Sequence, residues 1–184
     1  MYTLLVCGKV AFQQTLDVFT DRYYQLCTTF FPGPRSKQRA LGIRIKLVGE
    51  EHQSTAVCYY SLGVTQQQQR NFKAALQSHQ RALDIRVKLF GEEHQSTGDC
   101  LYALGITQLK LGDFEGALQF FKRALDIRIK LFGEEHQSTA VSYYSLGITQ
   151  SELRDFKAAL QSYQRALDIR IKLFGEEHQS VASC

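Results

Sequence analysis

The sequence predicts an all-α repeat protein, and three observations carry that prediction. The hexapeptide Gly-Glu-Glu-His-Gln-Ser begins at Gly49, Gly91, Gly133 and Gly175, a constant step of 42 residues. A fixed period of roughly 20–50 residues marks a chain built from stacked supersecondary repeats. Within a repeat, Phe72, Ala75, Leu76, Ala82 and Leu83 stand at offsets 0, 3, 4, 10 and 11, one face of a 3.6-residue helix. No segment shows the alternation of a competing strand. Full repeats run over 56–97, 98–139 and 140–181, a partial one over 37–55, and a stub over 180–184. The first and third full repeats differ at nine positions, Cys58/Ser142 and His79/Tyr163 among them.

Each repeat reads as two helices. The first is expected to start near Ser54-Thr55, where a hydroxyl can cap exposed N–H groups, and to run to about Gln69. The second starts at Asn71, Asp113 or Asp155, all residue types suited to an N-cap. It ends in a cation-rich turn, Arg-Val-Lys-Leu-Phe, followed by Gly91 as a left-handed C-cap. A polar link then leads to the next repeat.

Leu62-Gly63, Ala75, His79 and Ala82 recur as Leu104-Gly105, Ala117, Phe121 and Ala124, and as Leu146-Gly147, Ala159, Tyr163 and Ala166. This series resembles the tetratricopeptide repeat. The 42-residue step, with Arg-Ala-Leu-Asp-Ile-Arg-x-Lys-Leu-x-Gly-Glu-Glu-His, is similar to the kinesin light chain variety and to nephrocystin-3-like scaffolds. The resemblance implies a right-handed α-solenoid over 37–184 with a concave groove lined by the first helix of each pair. The small residues let helices approach closely, and stacking buries a core that no single pair can bury alone.

By the same resemblance, groove positions lie three residues before and one, four and five residues after each helical glycine. They are Tyr60, Val64, Gln67 and Gln68; Tyr102, Ile106, Leu109 and Lys110; and Tyr144, Ile148, Ser151 and Glu152. Three tyrosines in register, beside an aliphatic ladder, suit peptide recognition by rigid anchors with one polar tip. The blander alternative is that tyrosines pack on the next repeat. Tyrosine and Val or Ile replace the Lys and Asn with which chaperone-binding repeats grip a carboxylate. Ser61, Ala103 and Ser145 replace the Asn typical of kinesin light chains, and no heptad run is present.

The expected function is a non-catalytic, cytoplasmic or cytoskeleton-associated scaffold that binds partner peptides. By resemblance the partners are cargo, or kinesin heavy chain for a longer parent protein, in microtubule-based transport. A ciliary or signalling scaffold and end-to-end self-association are the alternatives. No nucleophile–base pair or phosphate loop occurs, and no cofactor is expected. His52, His94, His136 and His178 follow Glu-Glu in each loop. Copies about 10 Å apart cannot share a metal at about 2 Å, so a loop that helps cap the next helix is expected. His79 reads as a packing residue, and Cys58 and Cys100 as buried free thiols. Net charge is +4, distributed as +3, +2, −1 and 0 over 1–55, 56–97, 98–139 and 140–181. No basic stripe runs along the array, which argues against a nucleic-acid partner. No apolar run is long enough for a membrane span.

Residues 1–36 leave the pattern. Asp21 and Thr20 stand in register with Gly63 and Leu62, and Pro32-Gly33-Pro34 interrupts the place where a second helix should begin. Segment 11–31 is apolar and aromatic, and a helix covering the first repeat is expected there, with a fragmentary or chimeric gene product as an equal alternative. The sequence beyond Ser180 reads as the start of another first helix without its capping partner, as in a truncated member of a longer family.

Overall fold

The computed structural model describes residues 33–175, so the expectations for 1–32 and for the stub at 180–184 lie outside the described residues. Seven helices follow: α1 (Pro34–Val48), α2 (Gln53–Gln68), α3 (Phe72–Phe90), α4 (Gln95–Leu111), α5 (Phe114–Phe132), α6 (Gln137–Glu152) and α7 (Phe156–Phe174). Among the described residues there is no strand. The chain forms two compact units divided between Ile85 and Arg86, within α3.

Local chemistry sets the helix ends. The first helices begin one residue earlier than the hydroxyl pattern suggests, and a histidine caps them. Nδ1 of His52 accepts from the Ser54 backbone N–H at 3.2 Å, and His94 and His136 do the same for Ser96 and Ser138, each at 3.1 Å. The threonine hydroxyls turn back to the loop instead: Thr55, Thr97 and Thr139 donate to the carbonyls of Gly49, Gly91 and Gly133. Phe90 and Phe132 stack on His94 and His136 at 4.6 Å, holding the imidazoles in place.

Asp113 and Asp155 cap α5 and α7 as expected, accepting from the N–H groups of Gly116 and Ala158. Gly133 ends α5 at φ 86, but its ψ of 172 takes it past the left-handed helical region to an extended conformation that glycine alone adopts readily. The glycine break at the start of α1 has the expected effect: the helix begins at Pro34, whose missing N–H costs nothing at that position. It has 15 residues where α3, α5 and α7 have 19.

Small residues decide the pairing. A Cβ added at Gly63 would lie 2.6 Å from the His79 ring, and one at Gly105 would lie 2.7 Å from Phe121. Ala82, Ala124 and Ala166 are fully buried. In the first unit Leu41, Cys58 and Leu62 form a core padded by Ile45 and Tyr59. In the second, Ala117, Phe121, Leu125 and Leu146 form the core. His79 fills the slot of Phe121 at 0% exposure, a packing residue as its position in the repeat predicts.

Candidate functional site

Tyr102, Ile106 and Leu109 follow at i, i+4 and i+7, so they share one face of α4, and Tyr144, Ile148 and Ser151 share the matching face of α6. All six are partly buried, while Lys110 and Glu152 at the helix ends are exposed. In the first unit Tyr60, Val64 and Gln67 on α2 are partly buried and Gln68 is exposed.

The tyrosines are held the same way in every repeat. Each ring tilts against the aromatic of its own second helix: Tyr60 on His79 at 5.3 Å, Tyr102 on Phe121 at 5.4 Å and Tyr144 on Tyr163 at 5.6 Å. The Arg128 guanidinium covers the Tyr102 ring at 4.3 Å, and Arg170 stands over Tyr144 at 5.2 Å. The Tyr102 hydroxyl lies 2.9 Å from Ser145 Oγ, a side-chain link from α4 to α6. These side chains are therefore fixed before any ligand arrives. Ile106 and Leu109 lean toward the core cluster around Phe121 and present only part of their surface to solvent.

The arginines are the residues that sequence reasoning undervalued. Arg86 belongs to the turn read above only as dipole-matching, and Arg44 to a basic segment expected to be a solvated helix face, yet Arg44, Arg86 and Arg128 are buried. Each donates from Nη1 to a backbone carbonyl of the next first helix: Arg44 to Ser54, Arg86 to Ser96 at 2.7 Å, and Arg128 to Ser138. Arg86 also donates to Cys100 Sγ at 3.3 Å, and Arg128 to Ser142 Oγ at 2.8 Å. The available signal was arginine without lysine at residues 44, 86, 128 and 170. A planar guanidinium holds its donors in a fixed geometry, unlike lysine's compact ammonium on a flexible stem. Arg128 Nη2 also lies 3.5 Å from Asp99, where the flanking repeats have Val57 and Val141.

Among the described residues no three His, Cys, Asp or Glu are grouped to hold a metal, and no helix is long and apolar enough to cross a membrane. Cys58 and Cys100 are buried. Burial pushes the Cys100 thiol up to about 11, against the opposing pull of Arg86.

The tetratricopeptide repeat family model matches over 36–86, 67–130 and 117–172, well over half of the chain. The chain belongs to the tetratricopeptide repeat family. Its fold is similar to the crystal structure of BtubC (BKLC) from P. vanneervenii, with TM-score 0.79 and 23% identity over 89% of this chain and 68% of that one. A P. anserina putative kinesin light chain with nearly identical TPR-like repeats matches with TM-score 0.73 and 19% identity, over 92% of this chain and 80% of that one. The apo form of RapI matches with TM-score 0.67 and 21% identity, over 83% of this chain and 41% of that one. No curated protein matches the chain in sequence. The all-α repeat solenoid is thus the shared fold, and tetratricopeptide proteins are in general non-catalytic protein-interaction scaffolds.

Proposed function

We propose that this tetratricopeptide protein binds extended or helical segments of partner proteins along the first-helix faces that carry Tyr102, Ile106, Tyr144 and Ile148 in the second unit, and Tyr60 and Val64 in the first. The observation that supports this most is the fixing of each tyrosine by a second-helix aromatic, reinforced at Tyr102 and Tyr144 by an arginine. Side chains locked before binding lose little entropy on binding, which is what distinguishes an anchor from an incidental exposed residue. Gln67, Gln68, Leu109, Lys110, Ser151 and Glu152 form the rim at the C-terminal ends of these helices.

The finer reading is a cytoplasmic cargo adaptor of the kinesin light chain kind. The 42-residue repeat and the likeness to the P. anserina protein favour it over a signalling scaffold. A photo-crosslinking residue placed at Ile148 tests the binding face. It should label the partner that the wild-type chain retains, while the same group at exposed Gln164 should not. Equal labelling from both positions would place the binding surface elsewhere.

A further inference from the structure

Beside Tyr143 of α6 a trench of about 520 Å³ runs along α7, lined by Gln161, Ser162, Gln164, Arg165 and Asp168. Gln161, Arg165 and Asp168 follow at i, i+4 and i+7, a different face of α7 from Leu160, Tyr163 and Leu167. Tyr143 and Ser162 stand where the middle repeat has Leu101 and Phe120. Where the phenylalanine stands, Leu101 is fully buried; where the serine stands, Tyr143 keeps part of its surface exposed. The Ser162 hydroxyl turns to α6, 2.7 Å from the Gln150 side chain, so the third repeat replaces a ring with a small group engaged elsewhere. The trench wall also carries an available cation. Arg81 and Arg123, the matching arginines, lie 3.9 and 4.0 Å from Glu50 and Glu92. Among the described residues Arg165 forms no such pair with Glu134, although both border the small pocket that adjoins the trench.

We propose that this trench seats a phenylalanine side chain of a second polypeptide segment, separate from the one taken by the first-helix faces. The middle repeat identifies the occupant, because it supplies its own phenylalanine, Phe120, at the same register. The Tyr143 ring offers the incoming ring an aromatic partner, and the Arg165 guanidinium offers a cation for its face. The same unit already uses that pairing internally, with Arg128 over the Tyr102 ring at 4.3 Å. Gln161, exposed at the rim, presents an amide to the backbone on either side of the seated residue. The trench volume lies within the roughly 300–1,000 Å³ typical of ligand pockets, and an aromatic ring in a pocket is the usual anchor of a protein interface.

The probe is the capped tripeptide acetyl-Gly-Phe-Gly-amide, titrated to tens of millimolar into the full chain and read by amide chemical shifts. Saturable shifts are expected at Tyr143 and across 161–168, with a dissociation constant on the order of 1 mM for one seated side chain. The alanine analogue, acetyl-Gly-Ala-Gly-amide, should leave them unmoved. The double change Ser162→Phe with Tyr143→Leu rebuilds the middle repeat's own pair and should weaken binding at least about tenfold by filling the seat. Arg165→Gln, at an exposed position that the fold does not depend on, should weaken it about two- to fivefold. The proposal is overturned if no saturable shift appears, if the shifts fall only on the first-helix faces, or if the alanine analogue acts equally. Binding indifferent to both Arg165→Gln and the double change would overturn it as well.

Discussion

One methyl group has opposite effects at two helical glycines. In Gly105→Ala the new Cβ would lie 2.7 Å from ring carbons of Phe121, which is fully buried. Overpacking of that kind costs about 1–3 kcal/mol, more than the roughly 1 kcal/mol by which alanine favours a helix over glycine. At Gly42 nothing lies within 4 Å, so Gly42→Ala should stabilise by about 0.5–1 kcal/mol. Urea denaturation of the two variants should show midpoints displaced in opposite directions. Cys100 offers a test of pH dependence. Its folded value, about 11, lies above the ordinary 9.0, so the folded thiol keeps its proton where the unfolded one loses it. The stabilisation is complete below about pH 9 and falls away as pH rises toward about 11, by on the order of 2–3 kcal/mol at most. Cys100→Ser should remove that alkaline loss. It should be tolerated, because Ser142 accepts from Arg128 at the equivalent position. Thermal melts of both proteins at about pH 8 and about pH 10.5 separate this contribution from the other groups that titrate there.

Helix ends show where sequence reasoning succeeds and where geometry overrides it. Aspartate at residues 113 and 155 was legible as a cap because the residue type and the following apolar pattern agree. Asp113→Ala should therefore lower stability by about 0.5–2 kcal/mol in a thermal melt. The histidine loops were legible as segments that help cap the next helix, but not the histidine itself as the N-cap. Ser54 and Thr55 are the better cap residues by type, but the turn after Gly49 places them inside the helix, leaving His52 in the extended conformation a cap requires. The other end of the first helix carries a comparison within the chain. Gly112 follows α4 in the left-handed conformation at φ 82, whereas the equivalent Arg70 and Arg154 hold φ 60 and 63. Arg154→Gly should relieve that strain and raise stability by up to about 1 kcal/mol, measured by the same melt.

At the level of the whole molecule, the repeat period and the helical spacing made the architecture legible, because near-identical copies constrain each other and only stacking buries their apolar faces. The first-helix faces were legible only by register. Nothing in the sequence separates a tyrosine that anchors a ligand from one that braces its own repeat, and the same residue types serve both. The structure sharpens that question: Tyr102 bridges from Phe121 to Ser145 beneath Arg128, yet keeps part of its surface exposed. The direct test of a tyrosine-lined binding face is to change Tyr60, Tyr102 and Tyr144 together to alanine, then measure helicity by circular dichroism and capture of the partner that the wild type retains. A binding face predicts preserved helicity with capture weakened by orders of magnitude, since each lost anchor costs about 1–2 kcal/mol or more and about 1.4 kcal/mol is tenfold. Collapse of the helical signal would make the tyrosines braces of the fold, and full capture by a folded triple variant would contradict the proposed face outright.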